Sequence, residues 1–68
     1  MAIREILARN LRSLRRRRSL SQEELAHRAS IDRTYISSLE RGRYAATIDM
    51  VDKLARALDA EAWELLKP

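Results

Sequence analysis

The chain has 68 residues, of which 46% are hydrophobic and 35% charged, with one histidine, one glycine, one proline and no cysteine. This length predicts a single domain over residues 1–68, and the shortage of cysteine and histidine excludes disulfides and a structural zinc site. No apolar run approaches the length of a membrane span and no signal peptide opens the chain, so we expect a soluble, cytoplasmic protein without membrane association.

Charge is unevenly distributed along the chain, whose net charge is +4. Residues 1–43 contain 11 arginines and 5 acidic residues, whereas residues 44–68 contain 3 basic and 5 acidic residues. A basic front half is typical of a protein that turns one face toward a polyanion. An ordinary solvated surface accounts for this asymmetry equally well.

The first of five predicted helices runs from about residue 2 to residue 17. Its apolar residues recur at helical spacing and form one stripe: Ile3, Ile6, Leu7, Leu11 and Leu14. The consecutive arginines 15–18 fall at its carboxyl end, where the helix dipole favours cations.

The second and third helices form a closely spaced pair. Ser21 followed by Glu24 is the pattern of a capping box, and this helix is predicted to end near Ala29. Asp32 is the predicted cap of the third helix, and Gly42 supplies the left-handed residue that ends it. Because only two residues separate Ala29 from Asp32, the pattern predicts a helix-turn-helix unit.

The fourth helix is predicted to begin after its cap, Thr47. Its apolar stripe consists of Ile48, Val51, Leu54, Ala55 and Leu58.

Asp59 is the predicted cap of a fifth helix that ends at Leu66, with Leu58 and Trp63 placed to pack across its start. Trp63 and Leu66 lie three residues apart on one side of this helix. The pair either helps to close the core or faces a second copy of the chain, and the pattern favours neither.

The outward face of the third helix carries the candidate binding residues. Ile36 and Leu39 define its buried side. The opposite face consists of Thr34, Ser37, Ser38 and Arg41, with Arg33 and Tyr35 on its flanks. This face contains no acidic and no apolar residue, whereas solvated helix faces usually include glutamate and lysine. Such a surface fits the major groove of DNA.

Two sets of DNA contacts follow from this placement. The candidates for base contacts are Arg33, Thr34, Tyr35 and Ser38, because arginine binds guanine and the hydroxyl groups reach base edges. The candidates for phosphate contacts are Gln22, Ser37, Arg41, Arg43 and Tyr44. Gln22 opens the second helix, whose amino end attracts anions.

Three segments together resemble the lambda-repressor/Cro-like helix-turn-helix family: residues 21–26 (Ser-Gln-Glu-Glu-Leu-Ala), 32–37 (Asp-Arg-Thr-Tyr-Ile-Ser) and 39–42 (Leu-Glu-Arg-Gly). The similarity extends over nearly the whole chain. Residues 32–37 are especially similar to controller proteins of bacterial restriction–modification systems, which are small dimeric transcription regulators. The resemblance implies an all-α, compact five-helix domain of the lambda-repressor type.

The resemblance also implies an ion pair between Arg15 and Glu40. The residues support it, because Glu40 lies four positions after Ile36 and leans toward the core, where an unpaired carboxylate is costly. The family commonly has glycine where Ser19 and Ser30 stand. These serines either adopt the left-handed conformation at a cost of about 1 kcal/mol, or the two turns have another shape.

We therefore expect a homodimeric transcription regulator that binds a pseudo-palindromic operator in double-stranded DNA, with its two recognition helices roughly 34 Å apart. An enzyme is excluded because no nucleophile–base pair, carboxylate pair or metal-ligand set is recognisable, and neither a cofactor nor a small-molecule ligand is expected. The alternative is an antitoxin-like or other protein-binding helical module.

Overall fold

The chain forms five α-helices in the computed structural model, which describes residues 1–68. Their bounds are α1 Ile3–Arg17, α2 Gln22–Ala29, α3 Arg33–Glu40, α4 Ile48–Ala57 and α5 Ala62–Leu66. No residue lies in a strand, so the predicted all-α class and the number of helices are confirmed. None of the five helices has the length and apolar character needed to cross a membrane.

Three of the four predicted helix caps are present as hydrogen bonds. Ser21 Oγ accepts from the backbone N–H of Glu24 at 3.0 Å, and Glu24 Oε1 accepts from the N–H of Ser21 at 2.8 Å, which completes the capping box of α2. Asp32 Oδ1 accepts from the N–H of Thr34 at 2.8 Å. Thr47 Oγ1 accepts from the N–H of Met50 at 3.0 Å. Each such cap stabilises its helix by about 1 kcal/mol.

The start of α5 differs from the prediction. Asp59 is not its cap: it has a φ of +57° and follows Leu58, the cap residue directly after the end of α4. The cap is Glu61, whose backbone N–H donates to Glu64 Oε2 at 2.8 Å. No glycine stands at the end of α4, so Asp59 takes the left-handed position, which aspartate tolerates better than most residues. The fifth helix therefore begins later than predicted.

The core is made by leucines and isoleucine from all five helices. The fully buried large side chains are Leu11, Leu25, Ile36, Leu39, Leu54, Leu58 and Leu65. Two members of the predicted apolar stripes lie outside this core, since Ile3 and Ile48 are 57% and 87% exposed. Each is the first residue of its helix, so its side chain projects beyond the edge of the packed helices.

Trp63 and Leu66 do not close the core. Trp63 is 61% exposed and Leu66 38% exposed, whereas Leu65 between them is fully buried. Leu65 is the residue of α5 that packs into the core, beside Leu58.

The helices pack so that α3 keeps one side free. Helix α1 packs against α3 and α5, α2 packs against α3 and α4, and α4 packs against α5. Helix α3 is therefore held from behind by α1 and α2, and its outward side meets no other helix.

Candidate nucleic-acid interface

The outward side of α3 is polar and free of acidic groups. Arg33 and Thr34 are exposed in its first turn, and Ser37 and Ser38 are half-buried one turn later. Arg41 is exposed directly after the helix. The acidic residue of this helix, Glu40, is 97% buried, with only 3% of its surface exposed, so it contributes nothing to the outward side.

A buried ion pair fixes α3 against α1. Arg15 Nε lies 2.6 Å from Glu40 Oε2, and Arg15 Nη2 donates to Glu40 Oε1 at 3.0 Å. The third nitrogen of this guanidinium donates to the carbonyl of Leu20 at 2.9 Å. The hydrogen bond that Arg15 donates to Glu40 raises the pKa of Arg15, with burial acting in the opposite direction. The pair expected from the sequence is thus present with bidentate geometry, which favours one orientation of α3.

Gln22 joins the same network. Its Nε2 donates to Glu40 Oε1 at 3.2 Å, so the amide that was expected to face a phosphate is turned toward the ion pair. The backbone N–H groups of Gln22 and Glu23 make no hydrogen bond within the protein. These two N–H groups at the amino end of α2 are free to bind an anion.

Tyr35 and Tyr44 form an aromatic pair beside α3. Their ring centroids are 5.4 Å apart, with the planes tilted by 43°. Tyr35 is half-buried and packs against the core, whereas Tyr44 is 53% exposed in the loop after α3. The sequence placed one in the base set and the other in the phosphate set, and the structure brings the two side chains together.

Gly42 turns the chain at the end of α3 and presents Arg41 and Arg43 side by side. Its φ is +70°, and the backbone N–H of Arg43 returns to the carbonyl of Ser38 at 3.0 Å. Both arginines are exposed. Of the 14 basic residues only Arg15 and Arg56 form ion pairs, so the charges of Arg41 and Arg43 are not neutralised by the protein.

Three structural side chains were not foreseen from the sequence. Arg12 donates through Nη1 to the carbonyl of Glu40. Arg18 Nε donates to the carbonyl of Leu58 at 2.7 Å, and Asn10 Nδ2 donates to the carbonyls of Leu65 and Lys67 at 3.0 and 2.8 Å. Each bond joins residues far apart in sequence and ends on a backbone carbonyl. Because every residue has such a carbonyl, the residue types do not indicate which one is the acceptor.

The two turns that the sequence left open are both left-handed. Ser19 has a φ of 56° and Ser30 a φ of 55°. The second of these joins α2 to α3 and sets the angle at which α3 is presented.

A family model described as helix-turn-helix (HTH_3) matches residues 11–62, which include the whole of α2 and α3. The chain belongs to this helix-turn-helix family. The resemblance expected from residues 21–42 is therefore confirmed.

The relatives of this helix-turn-helix protein include transcription regulators. It is 46% identical over 66 residues to control protein C.SmaI of Serratia marcescens, covering 97% of this chain and 79% of that one. It is 42% identical over 66 residues to a hypothetical transcription factor of Neisseria meningitidis, covering 97% of this chain but spanning only 62% of that protein.

Solved structures of transcription regulators have the same fold as this chain. That of the hypothetical transcription factor NHTF from Neisseria matches with a TM-score of 0.96 at 42% identity, over 98% of this chain and 77% of that one. A tetramer of the restriction-modification controller protein C.Esp1396I, in complex with its natural 35 base-pair operator, matches with a TM-score of 0.85 at 25% identity, over 98% of this chain and 99% of that one. These relatives are regulators, in agreement with the expectation that the chain is not an enzyme.

Proposed function

We propose that this helix-turn-helix protein is a transcription regulator that binds a specific sequence in double-stranded DNA as a homodimer, with α3 in the major groove. The observation that carries the proposal is the outward side of α3. It is polar, free of acidic groups, and held by a buried ion pair behind it. A rigid helix with such a surface is what base reading in the major groove requires.

Base contacts are assigned to the first turn and a half of α3. Arg33 has an exposed guanidinium that can donate two hydrogen bonds to O6 and N7 of one guanine. Thr34 offers a hydroxyl to a base and a methyl group to thymine, and Ser38 one turn further reaches a base edge. Tyr35 lies beside them and contributes through its edge or through its pairing with Tyr44.

Phosphate contacts are assigned to both ends of the helix pair. The free N–H groups at the start of α2 attract one phosphate, with the Gln22 amide oriented by Glu40. Ser37, Arg41, Arg43 and Tyr44 lie at the other end, where the two arginines supply charge. Such contacts fix the position of the protein on the duplex without reading sequence.

The interface of the homodimer is assigned to the exposed side of α5. Trp63 and Leu66 form an apolar pair that the core does not cover. Two copies joined through it would present their α3 helices to successive major grooves of a pseudo-palindromic operator, about 34 Å apart. Regulators named as controller proteins share this fold and most of this length, and we propose that the chain belongs to that functional class.

Selection from a randomised duplex pool, followed by sequencing, tests the proposal. The size of the protein is followed in parallel by sedimentation. We expect a motif with two related halves, recovered by a protein that sediments as a dimer. A pool that stays random, together with a monomeric protein, would contradict the proposal and turn attention to protein partners.

A further inference from the structure

We propose that the outer side of α1 is a second contact surface for the DNA backbone, lying outside the sequence that α3 reads. This arginine face consists of Arg9, Arg12, Arg16 and Arg17 with Ser13 among them. The inference rests on the proposed DNA binding and extends it to a part of the protein that the helix-turn-helix unit does not include.

The arginine face is a shallow groove without any acidic or apolar lining residue. Its lining is the four arginines and Ser13, spaced three and four residues apart along one side of α1. From Arg9 to Arg16 the helix rises about 10 Å. The phosphates of one DNA strand follow one another every 3.4 Å or so along the duplex axis, so that length corresponds to about three such steps.

The arginine face is continuous with the interface proposed at the end of α3. Arg9 and Arg12 also line a neighbouring groove that contains Arg41, Gly42 and Arg43. Two acidic residues line this second groove too, Glu5, whose Oε1 accepts the backbone N–H of Ala2 at 3.0 Å, and Glu40, which is paired with Arg15; the four arginines outnumber them and leave the groove positive. A strand held by Arg41 and Arg43 can therefore continue along α1 over positive charge.

The arginine face is unfavourable for the isolated protein. Like charges three and four residues apart on a helix repel each other, and none of these arginines forms an ion pair with a carboxylate. Four of the ten acidic residues line the α4–α5 groove with Arg56: Asp52, Asp59, Glu61 and Glu64, of which Glu64 also lies beside Ser13 and Arg17. The repulsion on α1 is relieved when a polyanion binds, and the adjoining interface makes DNA the partner that the geometry favours.

The test compares two double variants with the same loss of charge. Arg9→Gln with Arg16→Gln removes half of the arginine face and spares Arg12, which holds the Glu40 carbonyl; Arg9 Nη2 donates only one long, exposed bond of 3.5 Å to the Lys67 carbonyl. Arg28→Gln with Arg56→Gln, at exposed positions of α2 and α4, is the matched control. Each variant binds two duplexes: one that ends at the selected motif, and one with about 10 added base pairs, roughly one helical turn, at either end.

We expect the wild type and the control variant to bind the longer duplex more tightly than the shorter one. The Arg9/Arg16 variant should lose this advantage, with roughly tenfold weaker binding to the longer duplex and a salt dependence lowered by about 2 for each bound chain. Its binding to the shorter duplex should be close to that of the wild type.

The outcomes separate this inference from the proposed function. Equal binding of the Arg9/Arg16 variant and the wild type to the longer duplex, at every salt concentration, would overturn the inference and leave the proposed function standing. A change in sedimentation of the free variant without a change in DNA affinity would also overturn it, since the face would then bind a second copy. Failure of the wild type to bind either duplex would overturn both.

Discussion

Glu40 is the acidic side chain that the fold depends on, because it lies in the core with Arg15 as its cation. Replacing Glu40 with alanine leaves a guanidinium that is only 12% exposed without its partner. We expect the free energy of unfolding to fall by about 3–5 kcal/mol, the usual cost of breaking a buried pair from one side. Urea or thermal unfolding measures this loss.

Asp52 provides the matched control for Glu40. It pairs with Arg56 one turn away on α4, at 3.1 Å, but both side chains are more than half exposed. Replacing Asp52 with alanine should change the free energy of unfolding by less than about 1 kcal/mol. An equally small effect of Glu40→Ala would show that the buried pair does not stabilise the fold.

Glu24 gives the stability of α2 a dependence on pH. Its pKa is lowered, mainly because its carboxylate accepts the backbone N–H of Ser21 in the folded helix. The folded pKa therefore lies below the unfolded one, so this stabilisation is complete above the unfolded pKa and is lost as the pH falls through the folded pKa. Unfolding measured between about pH 7 and pH 3 should lose more stability in the wild type than in Glu24→Gln. Identical pH profiles would contradict this role.

At the scale of helices and turns, the conformation of two serines predicts a gain in stability. Ser19 and Ser30 have φ values of 56° and 55°, which glycine adopts without steric cost. Ser19→Gly and Ser30→Gly should each raise the free energy of unfolding by about 1 kcal/mol. Ser13→Gly makes the same change inside α1 and should lower it by about 0.5 kcal/mol. A loss of stability at all three positions would show that the serine side chains stabilise these turns.

Helix α3 carries the prediction on specificity. Arg33→Ala should weaken binding to the selected motif by about 1–3 kcal/mol, because a bidentate contact to one base is lost. Binding to random duplex should change little. Arg43→Ala, which removes a proposed phosphate contact, should weaken both by similar factors and lower the salt dependence. Equal losses on both duplexes for Arg33→Ala would place Arg33 among the phosphate contacts.

The sequence predicts most element boundaries because the caps and the hydrophobic periodicity agree. Ser21, Asp32 and Thr47 each stand directly before an apolar stripe, and each is a cap in the structure. The exception is the start of α5, where Asp59 and Glu61 are both possible caps. Asp59 lies nearer to α4 and takes the left-handed position after it, and Glu61 is the cap of α5. The spacing of Glu61 and Glu64 was the signal that could have decided this.

The candidate site is less fully encoded in local pattern. Periodicity predicts which side of α3 faces outward, and the cost of a buried carboxylate predicts that Glu40 needs a cation, which the family resemblance identifies as Arg15. Neither can show that the Gln22 amide turns inward or that Tyr44 meets Tyr35, because both depend on where loops and neighbouring helices lie in space. The four consecutive arginines 15–18 likewise point in different directions, which their shared residue type does not predict. Arg15 enters the core and Arg18 binds carbonyls at the end of α4. Arg16 and Arg17 face solvent.

At the scale of the whole molecule, α2 and α3 depend on the other three helices. Each has eight residues, which is too short for a helix to be stable alone in water. The outward side of α3 therefore exists only when the core is complete, and variants that unfold the protein abolish every surface contact together. Binding measurements on Glu40 variants consequently need a temperature well below their unfolding transition.

Association is predicted from the exposed side of α5. Trp63→Ser removes the larger member of the apolar pair with Leu66. We therefore expect the dissociation constant of the dimer to be higher for this variant than for the wild type, as measured by sedimentation equilibrium. Ile48→Ser, at an 87% exposed apolar residue of α4, is the control and should leave association unchanged. The reverse pattern would move the dimer interface to the start of α4.

The position of Trp63 also gives the protein an optical property. It is the single tryptophan of the chain and is 61% exposed at one end of the fold, with Lys67 Nζ 5.3 Å from its ring centroid. Indole emission of the isolated chain should already resemble that of an indole in water, so unfolding should shift its wavelength little. A shift to shorter wavelength on raising the protein concentration would instead report that something has covered α5.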